Sequence, residues 1–207
     1  AAAMMLRARV VMYQKDQTRY AQVLSDMNEI ISSGKYRLMD DFASIWVKEG
    51  EFCDESIFES NQLPEGKTWG ASWQGYGTNL PAFISPNGLS GSDTFIGGWG
   101  FAPVRAAAWN MFEEGDERRE GSINHFEDGN YTVRFQNTGY FMAKYAARKG
   151  YNPPPGDIDL NFENNFRIFR YAEVLLNAAD LMASQGVAPS GITAQECLDQ
   201  IRFRAGL

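Results

Sequence analysis

The C-terminal stretch constrains the fold of this chain most. Between Phe166 and Gln185 apolar residues recur at spacings of three and four, which predicts a helix over residues 166–185. Its apolar residues cover so much of its circumference that the helix has to be packed on two sides. The remaining polar stripe consists of Arg170, Glu173, Asn177, Asp180 and Ser184. We expect Arg170 and Glu173 to pair with each other or with a facing helix, in a structural role.

A second helix is predicted soon after the first. Gly186 is placed to end the first helix, and Thr193 and Glu196 have the spacing of a capping box. The apolar side of the second helix carries Cys197, Leu198, Ile201 and Ala205. Two helices joined in this way form a helical hairpin, the unit that stacks in α-solenoids.

The N-terminal residues predict a similar hairpin. Apolar residues recur at helical spacing on both sides of a break near residues 15–18, and Gly34 is placed to end the second helix. The predicted fold class is therefore mostly α, an α-α superhelix of tetratricopeptide-like hairpins with a long loop-rich region. We divide the chain into a helical hairpin (1–35), a loop-rich aromatic segment (36–102), a helix with mixed loops (103–165) and a C-terminal hairpin (166–207).

Short elements are also predicted between the two hairpins. Residues 56–60 and 131–135 alternate as strands do, and residues 103–114 have helical spacing with a proline in the first turn. Between residues 61 and 101, however, nine of the twenty glycines are interleaved with aromatic side chains. This composition predicts a long structured loop region, and such regions are commonly functional.

The aromatic residues of this loop region are the candidates for ligand binding. Sugar rings present flat C–H faces that pack on indole and phenol rings, while neighbouring polar groups bind their hydroxyls. The alternative is that the same large side chains anchor a glycine-rich loop to the core. The candidate residues are Trp69, Trp73, Tyr76 and Trp99.

Composition excludes several other classes of function. The net charge of −7 and the isoelectric point near 4.8 oppose binding to nucleic acid. Cys53 and Cys197 are too few for a disulfide framework or a zinc site and are expected to be small core residues. No run of apolar residues approaches the length of about 18 that a membrane span needs.

The polar residues indicate neither a metal site nor catalysis. Asp157, Asp159, Asn161 and Glu163 alternate, but a calcium loop starting at Asp157 would need glycine where Phe162 stands and glutamate where Ile168 stands. His125 is the only histidine and has no nucleophile motif. Acidic residues that could be pictured as a glycosidase pair are Asp54, Glu55, Glu59, Glu113, Glu114 and Asp116. Spacing alone does not bring two of them together, so we predict no catalytic residue, no metal and no cofactor.

Two separated motifs resemble a known family. The run RYAEVLLNAAD (170–180), followed by LDQIRFRAGL (198–207), resembles the C-terminal signature of the SusD/RagB family. The segment from ARVVMY to SGKYRL (8–38) and the sequence MFEEGDERR (111–119) are similar to further segments of that family. Asp180 and Asp199 stand where the family usually has glutamate and asparagine.

The resemblance implies a function. Members of this family are outer-membrane lipoproteins of Bacteroidetes, which bind oligosaccharides or other nutrients at the cell surface without catalysis. They deliver the ligand to a SusC-like TonB-dependent transporter. The resemblance further implies that this chain is a partial one and that the lipid anchor, its only link to the membrane, lies upstream.

Two other classes of function stay open from the residues alone. A tetratricopeptide-like adaptor would bind a protein on its helical surface and bury the loop aromatics, whereas an enzyme acting on glycans would need paired carboxylates in a cleft. Exposure of Trp69, Trp73, Tyr76 and Trp99 on one open surface would favour glycan binding.

Overall fold

The computed structural model describes residues 1–71, 74–189 and 191–207. The chain divides into two compact units, and each is described by itself. The first, called the helical unit, comprises Ala1–Asp41, Phe52–Glu59 and Arg167–Leu207. The second, called the loop-rich unit, comprises Phe42–Glu51 and Ser60–Phe166.

Four helices build the helical unit. They are α1 (Ala2–Tyr13), α2 (Tyr20–Ser32), α6 (Tyr171–Ala183) and α7 (Ala194–Arg204). Helix α2 packs between α1 and α6, and α6 packs between α2 and α7. Their inward-facing residues form one core, whose fully buried members include Met5, Val11, Val23, Met27, Val174, Leu175, Leu181 and Cys197. Removal of each such side chain from water contributes about 1.5–3 kcal/mol.

Both predicted hairpins are present. A 3-10 turn at Gln17–Arg19 joins α1 to α2, and Gly34 follows α2 with the positive φ of 62° that suits glycine after a helix. At α7 the capping box forms as predicted: the Thr193 side chain accepts from the Glu196 N–H, while the Glu196 carboxylate accepts from the Thr193 N–H. Local sequence chemistry therefore determines where these helices begin and end.

The prediction that the C-terminal helix begins at Phe166 is wrong. Residues Phe166–Arg170 form a strand, β4, which pairs with β1 (Ser56–Ser60), and the helix begins only at Tyr171. In the sequence FRIFR, Arg167 and Phe169 are buried, whereas Phe166, Ile168 and Arg170 are more exposed. The segment therefore has the two-residue period of a strand. A short apolar run fits either period, and the presence of β1 as a hydrogen-bonding partner decides between them.

Of the two pairings expected for Arg170 and Glu173, the one with each other is not formed. Arg170 does not pair with Glu173; it forms an ion pair with Glu55, and Glu173 accepts two hydrogen bonds from Arg9 at 2.7 and 2.8 Å. Because residue 170 lies on a strand, its side chain leaves the helix face on which residue 173 lies. The structural role expected for these charges is consistent with this arrangement.

The loop-rich unit contains short elements only. They are α3 (Leu80–Ile84), α4 (Ala106–Asn110), α5 (Arg118–Ser122), β2 (Ile123–His125), β3 (Tyr140–Met142), and 3-10 turns at Ala43–Trp46, Lys48–Gly50 and Ile158–Leu160. Strands β2 and β3 are antiparallel, with Asn124 opposite Phe141. A small core of Ala82, Ala147 and Phe162 holds the aromatic loops, and Trp99 packs against it.

Two sequence predictions for this unit need correction. The strand predicted at residues 131–135 is absent; Thr132 makes a single bridge to Asn87, and the partner of β2 is β3 instead. The helix predicted at residues 103–114 is shortened to α4, which has no buried residue to hold a longer helix in place. Short helices are marginal without such packing.

Candidate functional site

Four aromatic rings meet on one surface of the loop-rich unit. Trp69 and Trp99 have ring centroids 6.0 Å apart with their planes tilted by 43°. Phe83 contacts Trp99 edge-on at 4.6 Å, and Phe101 lies 5.8 Å from Trp99. Trp69 is 53% exposed and Phe101 56% exposed, while Trp99 is half-buried. We call these four residues the aromatic surface.

The backbone explains why Trp99 and Phe101 share this surface. The Trp99 N–H donates to the Ala82 carbonyl at 2.6 Å, and the Phe101 N–H donates to the Phe83 carbonyl at 3.1 Å. The two residues thus lie against α3, Gly100 between them has a φ of 67°, and both rings pack on Phe83. Gly98 permits this approach, because a Cβ at that position would lie 2.3 Å from the Ala82 carbonyl oxygen.

A separate loop supplies Trp69. The loop is closed at its base where the Leu63 N–H donates to the Tyr76 carbonyl at 3.0 Å and the Tyr76 N–H donates to the Glu65 carbonyl at 3.3 Å. Near its tip, the Trp69 N–H donates to the Asp157 carboxylate at 2.5 Å. The loop therefore holds an exposed indole at a defined position.

One cation lies at the edge of the aromatic surface. The Arg134 guanidinium sits over the Phe101 ring, 5.4 Å from its centroid. Together with Trp69, Trp99 and Phe101, Arg134 lines an open cleft of about 320 Å³. This cleft combines flat apolar faces with a guanidinium group, which has five N–H donors and no acceptor.

The other two predicted binding residues have different outcomes. Tyr76 is 67% exposed, but it lines a second cleft of about 650 Å³ with Glu65, Gly66, Gln74, Gly75 and Pro155. Trp73 lies outside the residues that the structure describes. Of the four predicted positions, the structure thus brings Trp69 and Trp99 together, and it places Tyr76 in a different cleft of the same unit.

Sequence reasoning missed Phe83, Phe101 and Arg134. Phe83 and Phe101 both lie in the predicted aromatic loop region (61–101) but were not among the four named positions. No local pattern indicated Arg134, which joins the surface from a separate segment of the chain.

A second group of rings lies elsewhere in the loop-rich unit. Trp109 stacks on Tyr140 with centroids 5.0 Å apart, and His125 lies 4.7 Å from Tyr140 on β3. The Arg119 guanidinium covers Trp109, 4.7 Å from its ring centroid. Because these groups cover one another, the stack offers less ring face to a ligand than the aromatic surface does. His125 is exposed at the end of β2 and packs beside Tyr140.

Four of the six acidic residues considered for a glycosidase pair, Asp54, Glu55, Glu59 and Asp116, form ion pairs with arginines. Asp116 accepts from Arg118 at 2.7 Å, and this hydrogen bond holds the pKa of Asp116 below its ordinary value. Glu55 pairs with Arg170 and Arg204, and Asp54 pairs with Arg37 at 2.9 Å. A catalytic general acid needs the opposite, a raised pKa, so Asp116 is unsuited to that role.

The described residues contain neither a cluster of metal ligands nor a helix that could span a membrane. Within residues 1–71, 74–189 and 191–207, no three His, Cys, Asp or Glu side chains cluster so that they could hold a metal ion. Across the same described ranges, every helix is too short or too polar to cross a membrane.

Comparison with known proteins identifies a family and several similar structures. The sequence pattern of the SusD family (SusD_RagB) matches residues 54–207. No curated protein sequence matches the chain. Among solved structures, surface glycan-binding protein A from Bacteroides fluxus is 65% identical with a TM-score of 0.95, over 99% of this chain and 44% of that one.

Two further similar structures are of proteins described as binding a glycan. Surface glycan-binding protein A from Bacteroides thetaiotaomicron, in complex with laminarihexaose, is 39% identical with a TM-score of 0.90, over 98% of this chain and 46% of that one. A laminarin-binding SusD-like protein is 29% identical with a TM-score of 0.82, over 99% of this chain and 47% of that one. The present chain therefore spans less than half the length of these relatives.

Proposed function

The chain belongs to the SusD family, and on this premise we propose that its aromatic surface binds a β-1,3-linked gluco-oligosaccharide such as laminarihexaose. The observation that carries the proposal is the pair formed by Trp69 and Trp99. Two indole rings, one exposed and one half-buried, lie side by side at 6.0 Å on an open cleft. This is the arrangement that sugar rings need for stacking.

The tilt between the two rings supports a curved ligand. Planes that meet at 43° contact successive sugar units only if the ligand chain turns between them. A β-1,3-linked glucan turns in this way, whereas a β-1,4-linked glucan is a nearly flat ribbon. The laminarihexaose bound by the relative from Bacteroides thetaiotaomicron is such a β-1,3-linked chain.

Arg134 supplies the polar part of the proposed site. Its guanidinium lies over Phe101 at the edge of the cleft, where it would donate hydrogen bonds to sugar hydroxyls while the rings contact the C–H faces. We propose that Tyr76, exposed in the second cleft, contacts another part of a longer ligand. Stacking and hydrogen bonding suffice for binding, and no proton transfer is involved.

We also propose the role in uptake that is usual for the family. The protein would be held at the outer surface of the outer membrane by a lipid anchor and would deliver the oligosaccharide to a SusC-like TonB-dependent transporter. A surface that contacts only one side of the ligand suits this role, because moderate affinity permits release. The two helical hairpins, α1 with α2 and α6 with α7, would be tetratricopeptide-like units of the scaffold.

Titration of the purified protein with laminarihexaose by calorimetry tests the proposed ligand. We expect saturable binding, with a decrease in affinity of about tenfold or more for Trp69→Ala and for Trp99→Ala, since such a factor corresponds to about 1.4 kcal/mol. Cellohexaose, the β-1,4-linked isomer, should bind more weakly.

Trp109→Ala is the matched control. It removes a tryptophan of the same unit that lies in the other ring stack, on a helix without buried residues. We expect it to leave the affinity unchanged. No binding of laminarihexaose by the wild type, or equal losses for all three variants, would overturn the proposal.

A further inference from the structure

Three polar side chains at every second position of one short segment form hydrogen bonds to the aromatic surface or to the loop that carries Trp69. They are Asp157, Asp159 and Asn161, at and around the 3-10 turn Ile158–Leu160. Their partners are Trp69, Trp99 and Lys67, which lie 88, 60 and 94 residues away in the chain. The side-chain oxygens of these three residues, which were considered as calcium ligands, therefore accept hydrogen bonds from N–H groups of the protein.

Asp157 holds the loop that carries Trp69. Its carboxylate accepts from the Trp69 N–H at 2.5 Å, and its own N–H donates to the Lys67 carbonyl at 3.1 Å. The contact is to the backbone of Trp69, so it determines where the Cα of this residue lies. A hydrogen bond to an ionised carboxylate is roughly twice as strong as one between neutral groups.

Asp159 holds the ring of Trp99. Its carboxylate accepts from the indole Nε1–H at 3.1 Å. The indole has a single N–H donor and no acceptor, so this bond selects one orientation of the ring. Trp99 also contacts Phe83 edge-on, and the two contacts together set the ring plane.

Asn161 fixes the segment itself. It is 1% exposed, and its amide accepts from the Lys67 N–H at 3.0 Å and donates to the Lys67 carbonyl at 2.8 Å. The next residue, Phe162, is in the small core of the unit and pairs through its backbone with Thr78 at 2.9 and 3.0 Å. The two aspartates therefore project from a segment that is anchored on both sides.

We propose that Asp157 and Asp159 are positioning residues that set the separation and tilt of the Trp69 and Trp99 rings, and thereby the ligand's required curvature. The inference rests on the proposed function, since it assigns those rings to ligand binding. Because one anchored segment holds both tryptophans, the rings keep their relation even though they come from different loops. Neither aspartate needs to contact the ligand for this role.

Glu163 offers a matched control within the same alternation. Its carboxylate pairs with the Lys48 ammonium at 2.8 Å and does not hold either tryptophan. Glu163→Ala therefore removes a carboxylate and an ion pair from the same segment without changing the partners of the rings. A general loosening of the segment would appear in this variant as well.

The indole N–H signals in a ¹⁵N–¹H correlation spectrum of the ligand-free protein test the contact directly. Trp99→Phe identifies the signal of Trp99. In Asp159→Ala we expect this signal to move to higher field and to exchange faster with solvent, because the carboxylate acceptor is lost. Asp159→Asn, which has the same shape and an acceptor oxygen, should retain most of the protection, and Glu163→Ala should leave the signal in place.

Titration with laminarihexaose tests the consequence for binding. We expect losses of affinity of about tenfold for Asp159→Ala and for Asp157→Ala, with partial rescue by the asparagine variants and no loss for Glu163→Ala. An unchanged Trp99 signal and unchanged affinity in Asp159→Ala would overturn the inference while the proposed function stands. If the wild type does not bind laminarihexaose, the proposed function fails, and the N–H signal still decides whether Asp159 holds the ring.

Discussion

Glu55 and Arg204 form an ion pair in the interior of the helical unit, with a distance of 2.8 Å between Oε2 and Nη1. The Glu55 side chain is fully buried and that of Arg204 is 5% exposed. Glu55 also pairs with Arg170 and accepts from the Met39 N–H at 2.9 Å. One carboxylate therefore joins the strand β4 and the end of α7 to the residues before β1.

Removal of Glu55 is expected to destabilise the helical unit strongly. Glu55→Ala removes the carboxylate that contacts both Arg170 and Arg204, whose side chains are 22% and 5% exposed, and removal of one partner of a buried ion pair costs about 3–5 kcal/mol. Denaturant unfolding followed by circular dichroism measures the change in the free energy of unfolding. The exposed pair of Arg37 with Asp54 is the control: Arg37→Ala should change the free energy by about 1 kcal/mol or less. Equal effects of the two substitutions would contradict the buried role of Glu55.

Arg134→Ala is expected to lower the affinity for laminarihexaose while leaving the thermal stability nearly unchanged. The side chain lies on the surface over Phe101, so its loss removes hydrogen-bond donors at the cleft without opening a cavity. We expect a decrease of about three- to tenfold, measured by calorimetry. Arg134→Lys should recover part of the loss, because an ammonium group donates hydrogen bonds but lacks the planar guanidinium. Arg37→Ala again serves as the control, and an effect of equal size there would argue against a local role.

Gly98→Ala is expected to weaken both folding and binding. The added Cβ would lie 2.3 Å from the Ala82 carbonyl oxygen, so the segment that carries Trp99 would have to move. Overpacking of this kind costs about 1–3 kcal/mol. Gly115→Ala is the comparison, because that glycine has a φ of 83° but no atom within 4 Å of an added Cβ. Gly115→Ala should strain the backbone and leave the laminarihexaose affinity intact. If Gly98→Ala also retained its affinity, movement of the segment that carries Trp99 would not matter for binding, and the prediction would be wrong.

Cys197 is expected to be unreactive in the folded protein. The residue is fully buried, and burial raises the pKa of its thiol from 9.0 to about 11. In titrations with a thiol reagent near pH 8, Cys197 should be modified only after denaturant is added, with Cys197→Ser identifying its share of the signal. Because the thiol pKa is higher in the folded state than in the unfolded state, the difference contributes its full stabilisation below about pH 9. This stabilisation is lost as the pH rises through about 11. Stability of the wild type should therefore fall across that range more steeply than stability of Cys197→Ser.

Local sequence patterns predicted the helical unit well, and the reason is visible at its ends. The capping box at Thr193 and the glycine at position 34 act through neighbouring backbone groups, so they work wherever the helix is placed. The strand at Phe166–Arg170 could not be predicted in the same way. Its short apolar run is compatible with helix or strand, and only pairing with β1 makes the strand the better choice.

The sequence by itself determined the helical hairpins and the family, and it indicated the aromatic region that contains Trp69 and Trp99, because periodicity, capping chemistry, motif order and local composition are properties of neighbouring residues. Only the tertiary structure decided which aromatic residues meet. Trp69 and Trp99 are brought to 6.0 Å by a segment that lies 60 or more residues away from both, through hydrogen bonds that their N–H groups donate to Asp157 and Asp159. Contacts of that kind depend on how distant segments pack, so they cannot be deduced from the spacing of residues along the chain.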